Sequence, residues 1–235
     1  MERIGLIAGN GQLPFLFARE AKGRGLEVIA VAHRGETDPA LEAEVAAFTW
    51  VRLGQVDRIL GAFQKAGVTR AAMAGGIGRV RALKEAWPDL GAVRIISRLR
   101  SFRDDTLLRA IAGYFEEKGV TIVAPTDYLT QVLCPAGHLA GPKLHPAQEK
   151  DVALGVEVAA LLGQADVGQT VVVKRCKPGQ DLRFDLPAAG PRTLEVMREV
   201  GAKVLALEAG RTVLLEAPRL FQDAEAAGIT VVGAP

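Results

Sequence analysis

The stretch RIGLIAGNGQLPFLFAREAKGRGLEVIAVAH, residues 3–33, decides the fold. It opens with a short apolar run, passes through the glycine turn GNGQ into a segment whose apolar residues recur at helical spacing, and closes with a second apolar run. A strand, a helix and a strand in this order are typical of a βαβ unit, in which the two strands lie parallel. We therefore predict an α/β protein built on a parallel sheet.

The same alternation continues outward from this unit. The pattern predicts a helix over residues 55–66, a strand over 70–74, a helix over 106–118 and a strand over 120–124. Together with the opening stretch, these segments predict a Rossmann-like parallel-sheet domain over residues 1–130.

Residues 131–235 are predicted to form a smaller α+β domain. Their Pro/Gly-rich stretch CPAGHLAGPKLHP (134–146) indicates a connection or an active-site loop. The apolar runs 203–207 and 211–215 are separated by a short turn sequence and predict a β-hairpin. The remaining predicted elements are helices over 147–162, 192–200 and 218–227, and strands over 169–174 and 230–232.

The composition excludes several classes of protein. The 235 residues carry 29 Lys+Arg and 27 Asp+Glu, interleaved along the chain, so no nucleic-acid-binding surface is indicated. The two cysteines have no metal-ligand spacing and indicate neither a disulfide framework nor a zinc site. Because the sequence shows no secretory leader and no apolar run of about 18 residues, we expect a cytoplasmic protein. Peripheral contact with a membrane stays open.

Two glycine-rich loops follow predicted strands and are candidate ligand-binding segments. Their members are Gly9, Asn10, Gly11, Gln12 and Leu13 in the first loop and Gly75 and Gly76 in the second. Main-chain amides at a strand-to-helix turn can bind an anion such as phosphate. The first loop is not G-x-G-x-x-G, and no acidic residue ends the second strand, which argues against a dinucleotide site. The alternative is that these glycines only permit tight turns.

Charged residues concentrate in RCKPGQDLRFDLPAAG (175–190), where Lys177, Asp181, Arg183 and Asp185 lie within nine residues. A carboxylate between cations can hold a divalent metal or orient a water molecule, while the cations neutralise phosphate charge. An edge strand with a surface ladder of ion pairs is the alternative. The residues alone do not decide between them.

Other polar residues fit ordinary structural roles. Asp104 and Asp105 favour the start of a helix. Arg79 fits either a phosphate contact or a solvated surface position. The three histidines are isolated in sequence and form no metal-binding pair.

Five segments together resemble a known family. GLIAGNGQLP (5–14), AGGIGR (74–79), RDDTLLR (103–109), VGQTVVVK (167–174) and KPGQDLRFDLPAAG (177–190) look like the LpxI-type UDP-2,3-diacylglucosamine pyrophosphatases of lipid A biosynthesis. The resemblance spans nearly the whole chain, and the last motif is the most specific. It implies hydrolysis of UDP-2,3-diacylglucosamine to UMP and 2,3-diacylglucosamine 1-phosphate (lipid X), with the substrate between the Rossmann-like domain and a C-terminal catalytic domain.

The resemblance also implies a cofactor and site residues. The implied cofactor is Mg²⁺, and Asp185 in the RxDLPxxG context is the implied metal ligand or water-orienting group. Lys177, Asp181 and Arg183 match the surrounding pattern and take supporting roles. The two glycine loops match positions that contact the ligand. The implied partner is a lipid-linked sugar nucleotide, and contact with the inner-membrane surface and a homodimer stay open.

The sequence departs from the family pattern at one place. Between the VGQ-type strand and the KPGQD motif the family carries a segment of some tens of residues with an EGTD-like sequence, whereas here Lys174 is followed by Arg175, Cys176 and Lys177. Two functions therefore remain, an active diphosphatase or a non-catalytic sugar-nucleotide-binding or lipid-binding protein. A nicotinamide-dependent oxidoreductase is a third, suggested only by the Rossmann-like start.

Overall fold

The computed structural model describes residues 2–78, 87–99, 104–164, 173–174, 181–184, 186–199 and 201–235. Contacts divide the chain into two compact units. The first comprises Met1–Tyr128 and Asp181–Phe184, and the second comprises Leu129–Gln180 and Asp185–Pro235.

The first unit contains a five-stranded parallel sheet. Its strands are β1 (Arg3–Ala8), β2 (Glu27–His33), β3 (Ala47–Val51), β4 (Arg70–Ala74) and β5 (Thr121–Val123). Its helices are α1 (Leu13–Gly23), α2 (Val56–Lys65), α3 (Leu90–Arg98) and α4 (Asp104–Glu117), with short 3-10 helices at Pro39–Glu44 and Pro125–Asp127. The strand order is β3-β2-β1-β4-β5, and every pair is parallel. Because the order reverses between β1 and β4, the loops after these strands flank the topological switch point of the sheet.

Apolar strand runs and amphipathic helices form the core of this unit. β1 and β2 are buried at almost every position, as central parallel strands are. The helix α2 turns Val56, Ile59, Leu60 and Phe63 inward at helical spacing. The ring of Phe63 packs so closely on β1 that a Cβ at Gly5 would lie 2.9 Å from it. The glycine within β1 is therefore a packing requirement.

The second unit contains a mixed sheet and a separate strand pair. Its strands are β6 (Gly137–Ala140), β7 (Val173–Lys174), β8 (Ala188–Ala189), β9 (Val204–Glu208), β10 (Val213–Leu214) and β11 (Thr230–Ala234), and its helices are α5 (Pro146–Gln164), α6 (Pro191–Glu199) and α7 (Ala217–Ala227). The order of the larger sheet is β6-β11-β9-β7. β11 is antiparallel to β6 and parallel to β9, and β8 pairs in parallel with β10.

The structure confirms the α/β class and the opening βαβ unit, and it differs from the predictions at other elements. The predicted hairpin of 203–207 with 211–215 is wrong, because β9 pairs with β7 and β11 whereas β10 pairs with β8. The Thr212 amide donates to the Glu208 oxygen over 3.1 Å in a tight turn that takes the chain out of the sheet. The stretch 134–146 is more than a connection, since it contains β6. The strand β3 was not predicted.

Among the described helices, none has both the length and the apolar character that crossing a bilayer requires.

Candidate functional site

The two glycine loops are hydrogen-bonded to each other at the carboxyl ends of β1 and β4. The Gly9 amide donates to the Ala74 oxygen over 2.8 Å, and the Asn10 amide donates to the Gly76 oxygen over 2.8 Å. The Gly76 amide returns a bond of 3.3 Å to the Asn10 oxygen. The first loop (residues 9–13) and the Gly75-Gly76 loop thus lie at the same edge of the sheet. This is expected, because the carboxyl ends of neighbouring parallel strands lie at one edge.

Glycine is needed here because the two backbones approach each other closely. A Cβ at Gly9 would lie 2.3 Å from the Gly76 oxygen, and one at Gly75 would lie 2.5 Å from the Asn10 oxygen. Gly75 also has a φ of +91°, which L-residues with a side chain rarely adopt. Gly9 and Gly75 therefore allow the two loops to approach closely enough to pair.

The pairing decides which amides can still face a ligand. The amides of Gly9, Asn10 and Gly76 already have main-chain acceptors. Gly11 is exposed, with a φ of +83° and open space where a Cβ would stand. The Gln12 side chain does not cap α1, which begins at Leu13. Residues 11–13 are therefore the part of the first loop with room for an anion at the positive end of α1.

A polar cluster beside the first loop was missed by sequence reasoning. The Asn10 side-chain amide donates to Glu36 Oε2 over 2.7 Å. His33 Nδ1 lies 3.0 Å from the Ala8 oxygen, which also accepts from the Thr37 hydroxyl over 2.7 Å. The signal for this cluster was the sequence HRGET (33–37), directly after the second strand and therefore at the same sheet edge.

The charge state of His33 follows from its surroundings. Burial lowers the pKa of the imidazole, and this outweighs the opposing effects of the bond to the Ala8 oxygen and of the Glu36 charge. The Ala8 oxygen can only accept, so Nδ1 of the neutral ring carries the proton and Nε2 is an acceptor. His33 ends β2 at the position where dinucleotide-binding sheets place a ribose-binding acid.

Asp181 and Arg183, the described members of the charged cluster, pair with each other. The Arg183 guanidinium donates to both carboxylate oxygens of Asp181, over 2.9 and 2.8 Å, and to Glu116 of α4 over 3.2 Å. The Arg183 amide also donates to Asp181 Oδ1 over 3.1 Å. Residues 181–184 form a turn, not the edge strand that was the alternative interpretation of this segment. The positive charge of Arg183 is thus compensated by two carboxylates.

The 181–184 turn packs against the core of the first unit. Phe184 packs against the core that contains Phe63 and Phe115, and the Arg183 guanidinium lies 5.0 Å from the Phe184 ring centroid. Hydrogen bonds from Arg183 hold the pKa of the Asp181 carboxyl below its ordinary value, and the charge of Arg109 on α4 acts in the same direction. Arg109 of α4 is therefore close enough to the 181–184 turn for its charge to act on Asp181.

Three predicted residues lie outside the described residues. They are Arg79, Lys177 and Asp185, so their roles stay predictions. Within the described residues, no group of three His, Cys, Asp or Glu side chains is arranged to hold a metal ion. Asp181 is engaged by Arg183 and is not poised as a metal ligand.

A cavity of about 410 Å³ lies in the second unit beside β6 and β11. Its polar lining includes His138, Lys143 and Glu149. Sequence reasoning did not single out this set, although His138 and Lys143 fall in the stretch 134–146, which was interpreted as a connection or an active-site loop.

Comparison with protein families identifies matches over both halves of the chain. The model of the LpxI N-terminal domain matches residues 3–132. The model of the LpxI C-terminal domain matches residues 135–175 and 170–232 in two overlapping pieces. The C-terminal match is thus interrupted at residues 170–175, next to the place where the sequence departs from the family pattern.

A curated protein from Caulobacter vibrioides, the UDP-2,3-diacylglucosamine pyrophosphatase LpxI, is 25% identical over 276 residues. The alignment covers 99% of this chain and 98% of that protein. Because this chain has 235 residues, at least 41 of those positions have no counterpart in it.

Solved structures are similar only in part. The crystal structure of gox2253 has a TM-score of 0.34 and 16% identity, and covers 51% of this chain and 32% of that chain. The biotin carboxylase domain of a thermophilic 2-oxoglutarate carboxylase, bound to ADP, has a TM-score of 0.33 and 13% identity, and covers 61% of this chain and 30% of that chain. Scores this low support no conclusion about function.

Proposed function

The chain belongs to the LpxI family, and from that premise we propose that it hydrolyses the diphosphate of UDP-2,3-diacylglucosamine to UMP and 2,3-diacylglucosamine 1-phosphate. The observation that carries the proposal is the family match over both halves, which includes the 181–190 motif. In this reaction water attacks a phosphorus of the diphosphate, one P–O bond breaks, and the two phosphates leave on separate products. The substrate is a lipid-linked sugar nucleotide.

Residues 11–13 are the proposed contact for the diphosphate. The exposed position of Gly11, its place just before the start of α1 and the location at the topological switch point all favour an anion there. Gly9, Asn10, Gly75 and Gly76 support this contact by fixing the loop through their mutual main-chain bonds. This assignment gives the glycines a positioning role.

Asp185 is the proposed group that orients the attacking water. Asp181 and Arg183 support this role as positioning residues, because their ion pair and the packing of the half-buried Phe184 on the core fix the turn immediately before Asp185. Lys177 is proposed to neutralise phosphate charge. We also propose a requirement for Mg²⁺, which would supply Lewis-acid stabilisation of the phosphate charge. The described residues contain no preformed metal cluster, and Asp185 is the residue proposed to contact the ion.

The test is UMP release from UDP-2,3-diacylglucosamine by the purified chain, with Mg²⁺ and with EDTA. Asp185→Asn is the test variant, and Asp223→Asn, at a half-exposed position of α7, is the matched control. We expect Mg²⁺-dependent release that falls at least about a hundredfold in the test variant and is unchanged in the control. Full hydrolysis by Asp185→Asn would remove Asp185 from the reaction.

A non-catalytic sugar-nucleotide-binding or lipid-binding protein is the second candidate. It is favoured by the 41 or more alignment positions without a counterpart and by the interruption of the family match at residues 170–175. Saturable substrate binding by calorimetry without UMP release from folded protein would support it. Rapid Mg²⁺-dependent turnover would contradict it.

A further inference from the structure

The helix α3 exposes a row of large apolar side chains. Leu90, Val93 and Ile96 are 77%, 52% and 42% exposed, and Trp87, just before the helix, is 63% exposed. The opposite face buries Ala92 and Ile95 in the core. A helix that is apolar on both faces is typical of one that contacts another apolar phase. We refer to Trp87, Leu90, Val93 and Ile96 as the α3 apolar row.

The row is presented by a helix with a fixed start. The Asp89 carboxylate accepts the Ala92 amide over 3.0 Å as the cap of α3, and it accepts the Asp57 amide of α2 over 2.8 Å. The Trp87 amide donates to the Leu53 oxygen over 2.7 Å. Because α3 is held to α2 and to the loop after β3, the exposed row is a defined surface of the first unit.

Two arginines border the row. Arg34, Arg52 and Trp87 line a cavity of about 270 Å³, and the Arg52 guanidinium lies 5.4 Å from the Trp87 ring centroid. The Arg34 guanidinium lies 6.0 Å from the Trp50 ring. Both arginines are exposed, and neither forms an ion pair with a carboxylate in the described part of the chain. The border of the row therefore carries two uncompensated positive charges.

We infer that the α3 apolar row is where the protein contacts the surface of an anionic phospholipid bilayer. Leu90, Val93 and Ile96 would enter the boundary of the acyl chains, as the apolar face of an interfacial helix does. Trp87 would lie at headgroup level, where indoles concentrate. Arg34 and Arg52 would pair with lipid phosphates. This inference extends the proposed function.

Charge favours a bilayer over a second copy of the chain. In a two-fold symmetric dimer the same patch meets itself. Arg34 and Arg52 would then approach their own copies, and such like-charge contacts oppose association. An anionic lipid surface instead complements both the apolar row and its positive border.

The test is co-sedimentation with vesicles of phosphatidylcholine alone or with about 30% phosphatidylglycerol, which gives the vesicle surface a negative charge. Leu90→Ser/Val93→Ser/Ile96→Ser is the apolar test variant. The matched control is Leu154→Ser/Val158→Ser/Val196→Ser, which removes three exposed apolar side chains of the second unit. Arg34→Gln/Arg52→Gln is a second test variant that leaves the helix intact.

We expect the wild type to bind the anionic vesicles more tightly than the neutral ones, and less tightly at high salt. The α3 variant is expected to bind at least about tenfold less tightly and the control variant as well as wild type. The arginine variant is expected to lose the preference for anionic vesicles. In Trp50→Phe, which leaves Trp87 as the single indole, emission is expected to shift to the blue on binding.

Three results would overturn the inference. They are no binding to anionic vesicles, equal loss in the α3 and control variants, and a concentration-dependent dimer that the α3 substitutions abolish. The last result would assign the row to a second copy. The vesicles contain no sugar nucleotide, so these outcomes are independent of whether the chain hydrolyses UDP-2,3-diacylglucosamine.

Discussion

Asn10 and Gly76 exchange two main-chain hydrogen bonds, with the Asn10 amide 2.8 Å from the Gly76 oxygen and the Gly76 amide 3.3 Å from the Asn10 oxygen. The pair bridges β1 and β4 at the point where the strand order of the sheet reverses. Ligands of open α/β sheets bind beside such a point. In this protein the two loops there are bonded to each other, so the shape of the candidate site depends on how closely their backbones can approach.

Gly75→Ala is expected to destabilise the first unit by about 3 kcal/mol. Its φ of +91° and the 2.5 Å approach of a Cβ to the Asn10 oxygen both oppose the substitution. Urea unfolding followed by tryptophan emission measures the change, because Trp50 and Trp87 both lie in the first unit.

The matched control for this substitution is Gly11→Ala. Gly11 has a similar φ of +83° but open space around the added methyl group, so only the backbone cost of about 1 kcal/mol is expected. Equal losses of stability in the two variants would show that the close approach of the loops does not matter.

The opening βαβ unit was predictable because residues 3–33 contain two continuous apolar runs, separated by a segment whose apolar residues recur at helical spacing. β3 was not predictable, since this edge strand of five residues is exposed at Ala47 and only half-buried from Phe48 to Trp50. The pairing of the strands also could not be predicted from local sequence patterns. β9 and β10 are close in sequence, yet they pair with strands far along the chain.

The candidate site was predictable in part for similar reasons. Glycine doublets after apolar runs located both loops, but their mutual bonds depend on the register that sets Ala8 opposite Ala74. The pairing of Asp181 with Arg183 follows from their proximity in sequence. Glu116, which lies 67 residues from its partner Arg183, carries no local signal of that contact.

Arg183→Gln is expected to destabilise the first unit by about 1 kcal/mol at pH 7, because it removes a two-pronged ion pair that is partly screened by solvent. The pKa of Asp181 is lowered in the folded state, so this stability is present above the ordinary carboxyl range and is lost as pH falls through the folded pKa. Urea unfolding at pH 7 and pH 3 measures both effects.

The control for this variant is Arg219→Gln on α7. Arg219 is 61% exposed and contacts Glu216 and Asp223 only at 3.4 and 3.7 Å, so its loss is expected to change stability by no more than about 0.5 kcal/mol. An Arg183→Gln deficit that is as large at pH 3 as at pH 7 would show that packing, and not the ion pair, is responsible.

His33→Gln is expected to make stability less dependent on pH between 5.5 and 7.5. Burial lowers the pKa of His33 in the folded state, so the unfolded chain binds more protons below the ordinary imidazole value and stability falls as pH falls. The slope for one such group is at most about 1.4 kcal/mol per pH unit. Urea unfolding across this range compares the variant with wild type.

The comparison needs a second histidine variant, His138→Gln, whose side chain is exposed on β6. It is expected to retain the wild-type slope. If His33→Gln retains that slope as well, His33 is not the group that carries the acid sensitivity.

Cys134 is expected to react at least about a hundredfold more slowly than an ordinary thiol in the folded protein. The side chain is 1% exposed, and burial raises the pKa of the thiol to about 11, so little of the reactive thiolate is present at pH 8. The measurement is the rate of reaction with a disulfide reagent in Cys176→Ser, which leaves Cys134 as the single cysteine.

The control is the same variant unfolded in guanidinium, which is expected to react at once with one equivalent of the reagent. Rapid reaction before unfolding would mean that the core of the second unit opens readily around Leu194 and Leu207, which belong to the same buried cluster as Cys134.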